Sequence, residues 1–125
     1  MKISDCPVKT ALDVIGGKWK PLILFALKDG AMRYGELRRF VEGSTHKVLT
    51  EQLRQLEAAG VIARDSFEER EPHVEYRLSA YGETMRPMLL ALSEWGALHH
   101  QPRRGLSLNP QIGIRDSDVS FRSAD

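Results

Sequence analysis

The segment STHKVLTEQLRQLEAAG, residues 44–60, places polar side chains at the spacing of one α-helical face. These side chains are Lys47, Thr50, Glu51 and Arg54. Together they supply hydrogen-bond donors and acceptors, which is the chemistry that base edges and phosphates require. Water is the ordinary neighbour of such a face, so the flanking elements must distinguish solvent from a nucleic-acid groove.

The other face of this segment is apolar and predicts a helix over about 46–59 that packs on a core. Its leucines recur at spacings of four and three: Leu49, Leu53 and Leu56. Gly60 suits the left-handed position that ends a helix. The residues GST at 43–45 predict a turn with a hydroxyl N-cap before it.

The stretch GELRRFVEG, residues 35–43, predicts a helix just before that turn. Leu37, Phe40 and Val41 form its apolar face, so the two arginines at 38–39 point largely elsewhere. Two helices joined by a short turn containing glycine are the signature of a helix-turn-helix. In that motif the second helix docks in the major groove of DNA and the first crosses the backbone.

Regular elements are also predicted on both sides of this motif. One helix begins at Pro7 and ends at Gly16-Gly17, a second covers about 18–28, and a brief strand is expected within 31–34. Residues 61–67 and 73–78 predict a β-hairpin, which makes the whole a winged helix. The last helix is expected from Ala80 to about His100.

The predicted fold class is therefore mainly α with a small β-hairpin: a winged helix-turn-helix with N- and C-terminal dimerisation helices. One domain is expected over 1–100. Residues 101–125 are poor in large hydrophobic side chains, which predicts a flexible tail.

Composition limits the other classes of function. The chain has 125 residues, 42% of them hydrophobic, and no apolar run near the roughly 20 residues of a membrane span, so a single cytoplasmic domain is expected. Its single cysteine excludes an internal disulfide and zinc sites built on cysteine pairs. A nucleophile with its base, a phosphate loop and a metal-ligand cluster are not recognisable, so no enzyme, cofactor or metal is expected.

Charge is distributed unevenly although the net charge is only +1. Residues 33–56 hold five cationic and three anionic side chains, whereas residues 57–76 hold two and six. The predicted helix-turn-helix is thus locally basic, as a surface facing DNA requires. The wing, with Glu68, Glu69 and Glu71 around Arg70, is acidic and resists close approach to the minor groove.

The candidate DNA-binding residues combine expected base contacts with expected phosphate contacts. They are Arg38, Arg39, Ser44, Thr45, Lys47, Thr50, Glu51, Arg54, Gln55 and Arg70. Glu51 would repel phosphate, so it either accepts from cytosine N4 or pairs with Lys47.

Large apolar side chains in the last helix exceed what one small domain can cover. Met85, Met88, Leu89, Leu92, Trp95 and Leu98 are the candidate dimerisation residues. Together with the N-terminal helix they predict a two-fold homodimer, whose recognition helices would lie about 34 Å apart, one turn of B-DNA.

Cys6 is a candidate redox sensor because it precedes Pro7 at the expected start of a helix. The positive end of the helix dipole stabilises a thiolate there and raises its reactivity. An inert, packed cysteine is the alternative. With no second cysteine in the chain, oxidation would give a disulfide between subunits or a mixed disulfide.

Four segments in order carry a resemblance to a known family: CPVKTALDVIGGKWKPLILFAL, RYGELRR, LTEQLRQLEAAGVIAR and PHVEYRLSAYGETMRPMLLALSEWG. Over residues 6–98 the chain resembles the HxlR family of winged helix-turn-helix transcriptional regulators, relatives of the MarR group. The resemblance implies a homodimer that binds partly palindromic double-stranded DNA, with an oxidant, electrophile or small molecule as effector.

Two positions depart from the family pattern. The family typically has Ile-Ser-Pro-Lys before the recognition helix, whereas this chain has Ser44-Thr45-His46-Lys47. The wing has Glu71-Pro72-His73 where Pro-Pro and a basic residue are usual. Both departures affect the expected affinity for DNA. A winged helix used for protein interaction, without operator-specific DNA binding, is therefore the alternative.

Overall fold

The computed structural model describes residues 1–100, so the tail predicted at 101–125 lies outside the described residues. The helices are α1 (Pro7–Ile15), α2 (Trp19–Ala26), α3 (Tyr34–Phe40), α4 (His46–Ala58), α5 (Ala80–Glu83) and α6 (Arg86–His99). The strands are β1 (Met32–Arg33), β2 (Ile62–Phe67) and β3 (His73–Leu78). The mainly helical winged fold predicted from the sequence is confirmed.

The sheet has three strands in the order β1-β3-β2, and both pairs are antiparallel. The predicted hairpin is β2–β3, with Ile62 opposite Leu78 and Phe67 opposite His73. The brief strand expected near residue 31 is β1, which pairs Met32 with Tyr76. The wing is therefore joined by backbone hydrogen bonds to the segment that leads directly into α3.

Met1–Leu89 form one compact unit, and a second unit begins at Leu90. The core of the first unit is built from aliphatic side chains of α1 to α4, the sheet and the start of α6. Its buried members are Ile15, Ile23, Leu24, Leu27, Leu37, Val41, Leu49, Leu53, Leu56, Val61, Ile62, Leu78 and Leu89. Phe40 was expected on the buried face of α3, but it is 48% exposed because Leu37 and Val41 fill that face.

The single helix expected from residue 80 is wrong, because the chain forms α5 and α6 with a break at Thr84 and Met85. Pro87 has no N–H to donate to the carbonyl of Glu83, so one continuous helix would lose a hydrogen bond there. Arg86 stabilises the junction by donating to the carbonyl of Lys28 at 2.7 Å and to the Glu83 carboxylate at 2.9 Å.

Gly82 allows α5 to lie directly against the start of β2. A Cβ at this position would overlap the carbonyl oxygen of Val61. Ser79 fixes the same contact, since its N–H donates to the Val61 carbonyl and its hydroxyl donates to the carbonyl of Gly60. The end of α4 and the beginning of the wing are thereby held in place by α5.

The wing is stabilised by contacts of Glu71 and His73. Arg33 forms an ion pair with Glu71 at 3.3 Å, and His73 Nε2 lies 2.9 Å from the Glu75 carboxylate. His73 also bonds the Glu71 carbonyl and stacks on Phe67. Its hydrogen bond to the Glu71 carbonyl, followed by that to Glu75, raises the pKa of His73 above the usual value for histidine. The acidic side chains of the wing are therefore partly neutralised by partners in the same chain.

Candidate nucleic-acid interface

The recognition helix predicted at 46–59 is α4, His46–Ala58. Leu49, Leu53 and Leu56 are all buried, and α4 packs on α2 through this face. Gly60 ends the helix region with φ 82°, in the left-handed region that favours glycine. The amphipathic division read from the sequence is therefore present in the structure.

Thr45 is the N-cap of α4. Its hydroxyl oxygen accepts from the backbone N–H of Val48 at 3.1 Å, as expected for a capping hydroxyl. The Thr45 side chain is exposed, and with the free amides of the first turn it could also meet a phosphate oxygen.

Ser44 does not share this role, contrary to the expectation that it suits a phosphate. Its side chain is only 8% exposed, and its hydroxyl donates to the carbonyl of Val41 at 3.1 Å. The hydroxyl thus satisfies a backbone acceptor in the turn between α3 and α4. Ser44 shapes the turn, and Thr45 is the hydroxyl that remains at the surface.

Tyr34 and His46 join the first residues of α3 and α4, a contact that was not predicted from the sequence. The Tyr34 hydroxyl and His46 Nδ1 are 2.6 Å apart, and the two rings meet edge to face with centroids 5.3 Å apart. In the sequence, His46 is notable only because the family typically has proline at this position. This contact ties the start of the recognition helix to the preceding helix.

Three of the predicted contact residues of α4 are exposed: Lys47, Thr50 and Arg54. On α3, Arg38 and Arg39 are also exposed. Neither set is covered by the rest of the described chain, which is the minimum condition for contact with DNA. The five side chains supply four cations and one hydroxyl.

Glu51 pairs with Arg54, and the predicted pair with Lys47 is therefore wrong. Arg54 donates from Nε to one carboxylate oxygen at 3.1 Å and from Nη2 to the other at 2.6 Å. The hydrogen bonds from Arg54 and Gln55 lower the pKa of Glu51 to about 2. The carboxylate is therefore ionised at any physiological pH.

Gln55 was expected to reach base edges or phosphates, but its amide already has partners on both sides. Its Nε2 donates to Glu51 at 2.9 Å, and its Oε1 accepts from the ammonium of Lys20 in α2. Any direct contact with DNA would have to displace these bonds. Lys20 itself was missed, because residues 35 positions apart show no sequence signal of this pairing.

Arg70 occupies the loop of the wing with φ 46°, an uncommon conformation for a residue other than glycine. Its side chain is exposed, together with those of Glu68 and Glu69. Of the three acids in the loop, Glu71 is paired with Arg33. The loop of the wing thus presents one cation beside two exposed carboxylates.

The predicted dimerisation residues divide into two groups. Leu89 is only 2% exposed and belongs to the core of its own chain, so its expected place at a dimer surface is wrong. Met85 and Met88 pack against that core and are partly buried. In contrast, Leu92, Trp95 and Leu98 are 53%, 62% and 80% exposed.

Cys6 is the N-cap residue of α1, as predicted, and its side chain is partly exposed. Its thiol makes no capping hydrogen bond to the amides of α1 within residues 1–100. Two side chains of α1, Val8 and Leu12, are 64% and 56% exposed. Among the described residues no helix is long and apolar enough to cross a membrane.

The sequence profile of the HxlR-like helix-turn-helix family matches residues 14–104. The HTH-type transcriptional regulator YdeP of Bacillus subtilis is 46% identical over 91 residues, which are 73% of this chain and 71% of that protein. The solved structure of the redox regulator HypR in its oxidised form is 42% identical with a TM-score of 0.74, covering 78% of this chain and all of that one.

A solved structure of the HTH-type regulator YtcD is 47% identical with a TM-score of 0.69, and it covers 74% of this chain and 95% of that chain. The residues matched by the family profile include the two helices of the motif and the wing. The chain belongs to the HxlR-like helix-turn-helix family of transcriptional regulators.

Proposed function

We propose that this regulator binds a partly palindromic DNA operator as a homodimer, with α4 of each subunit in the major groove. One observation carries the proposal: α4 buries its leucines and leaves Lys47, Thr50 and Arg54 exposed. Arginine and lysine donate to guanine O6 and N7, and a threonine hydroxyl bonds to either bases or phosphates. Thr45 and the amides of the first turn are the proposed phosphate contacts at the start of α4.

The arginines of α3 have a different proposed role. Arg38 and Arg39 lie on the helix that crosses the DNA backbone in this motif, so they would bind phosphates and position the protein without reading sequence. Arg70 is the proposed contact of the wing. The exposed acids beside it favour a weak contact there, so most of the affinity is assigned to α3 and α4.

The proposed dimer is formed by apolar side chains that are exposed in the single chain. On α6 these are Leu92, Trp95 and Leu98, and on α1 they are Val8 and Leu12. A second copy would remove this apolar area from water, and a two-fold axis would present two α4 helices to successive turns of the major groove.

Cys6 is the proposed site of a response to oxidants. It lies partly exposed at the positive end of α1, and the similar protein HypR is described as a redox regulator. In the proposed reaction two Cys6 thiols of different chains lose their protons and two electrons to a diazene such as diamide, which becomes a hydrazine, and one S–S bond forms.

Two arginine substitutions test the groove model on an operator selected from random duplexes. Arg54→Ala should weaken operator binding about tenfold or more and leave a scrambled duplex almost unaffected, since it removes a base contact. Arg38→Ala should weaken both duplexes alike and reduce the slope of log K against log salt by about one. Lys9→Ala in α1 is the control. Retention of both duplexes by both arginine variants would refute DNA docking and favour a protein-interaction role.

Sedimentation equilibrium tests the dimer. The natural chain should be dimeric at micromolar concentration, and Trp95→Glu should raise the dissociation constant at least about thirtyfold, because it buries a charge in an apolar interface. Phe67→Ser, which alters an exposed aromatic side chain of the wing, should leave association unchanged. A stable monomer of the natural chain would contradict the dimer.

Diamide treatment tests Cys6. A non-reducing gel should show a covalent species of twice the chain mass that dithiothreitol reverses, and operator affinity should change in parallel. Cys6→Ser should give neither effect. Operator binding that is unchanged by diamide, or that responds equally in Cys6→Ser, would assign Cys6 a structural role.

A further inference from the structure

The polar face of α4 carries a chain of hydrogen bonds that begins on another helix. Lys20 of α2 donates to the Gln55 amide oxygen, Gln55 donates to Glu51 at 2.9 Å, and Arg54 binds both oxygens of Glu51. The order is Lys20, Gln55, Glu51, Arg54. This charged network therefore connects the exposed arginine to a side chain that the core helix α2 holds.

Arg54 binds Glu51 through one edge of its guanidinium, formed by Nε and Nη2, and this edge is one of the two that can grip a phosphate or a guanine. A guanidinium offers a planar fork of N–H donors, and the fork that grips a carboxylate is also the one that grips a phosphate or guanine O6 and N7. Arg54 cannot use the same edge for both partners. A DNA group that needs this edge must compete with Glu51, whereas the other edge, formed by Nη1 and the second N–H of Nη2, can bind DNA only in the orientation that the ion pair imposes.

Release of Arg54 also leaves Glu51 beside the DNA with one partner fewer. A phosphate cannot compensate, because it carries a like charge and no donor. The amino group of cytosine N4 in the major groove can, since it donates a hydrogen bond. A site with guanine for Arg54 and cytosine for Glu51 would replace both halves of the broken ion pair.

We propose that Glu51 is a specificity-determining residue, which fixes the orientation of Arg54, withholds its bound edge from phosphates and mismatched bases, and releases that edge where guanine and cytosine satisfy both side chains. The proposal rests on the docking of α4 in the major groove. Gln55 and Lys20 act as positioning residues, because Gln55 continues to hold the Glu51 carboxylate after Arg54 has left it and Lys20 holds Gln55. Ionisation of Glu51 at physiological pH, with its pKa near 2, agrees with a permanent competitor for Arg54.

Glu51→Gln is the direct test, with Glu57→Gln as the matched control. Both positions lie on α4, and both changes remove one negative charge, but Glu57 is fully on the exposed side and takes no part in this network. Dissociation constants are measured for the selected operator and for a scrambled duplex at several salt concentrations. Circular dichroism checks that each variant folds.

Glu51→Gln should raise affinity for the scrambled duplex about threefold and for the operator much less, so the preference for the operator falls about threefold. Glu57→Gln should change both affinities by one small common factor. An effect of Glu51→Gln no larger than that of Glu57→Gln, or equal on both duplexes, would overturn the proposal.

A double-mutant cycle with Arg54→Gln separates release of the arginine from simple loss of charge repulsion. Without Arg54, Glu51→Gln should raise affinity for the scrambled duplex clearly less than it does in the natural chain, because only charge repulsion is then relieved. If the gain is undiminished in the Arg54→Gln background, Glu51 acts by repulsion alone and the proposal is wrong. If the natural chain binds no duplex at all, the docking of α4 in the major groove is wrong. That result differs from either outcome of the Glu51→Gln comparison.

Discussion

Burial of the leucine face of α4 determines which side chains of this helix reach the surface. Leu49, Leu53 and Leu56 are held in the core, so the helix cannot rotate without exposing them. The orientation of Lys47 and Arg54 toward solvent follows directly from this packing. Capping at the N-terminus and close packing of α5 beyond the C-terminus fix the two ends, so the polar face is presented as a rigid surface.

The charges on this surface are balanced locally before any DNA is bound. The ion pair of Glu51 and Arg54 and that of Arg33 and Glu71 each join a carboxylate to a cation that a DNA backbone would otherwise attract. These exposed pairs add little to stability in water. They also affect binding, because a cation that turns its paired edge to the DNA exchanges an internal partner for an external one. A small net charge is therefore compatible with sequence-selective binding.

Much of the fold could be predicted because it depends on local periodicity. The leucine spacing of α4 and the strand alternation of β3 appear directly in the sequence. The break before Pro87 was not predicted, because the sequence shows a long helical pattern that outweighs the one hydrogen bond lost at the proline. After the break, Leu89 lies in the core of its own chain. In the sequence Ser44 and Thr45 are equally suited to cap α4, and only the structure distinguishes them. Contacts distant in sequence, such as that of Lys20 with Gln55, depend on how α2 packs on α4.

Reading of DNA by α4 from the major groove can be tested by methylation interference on the selected operator. Guanine N7 lies in the major groove, and adenine N3 lies in the minor groove. Methylation of guanine N7 at two clusters about one helical turn apart should abolish binding, and methylation of adenine N3 beneath α4 should have little effect. Interference confined to adenine N3, or absent from both grooves, would contradict the account.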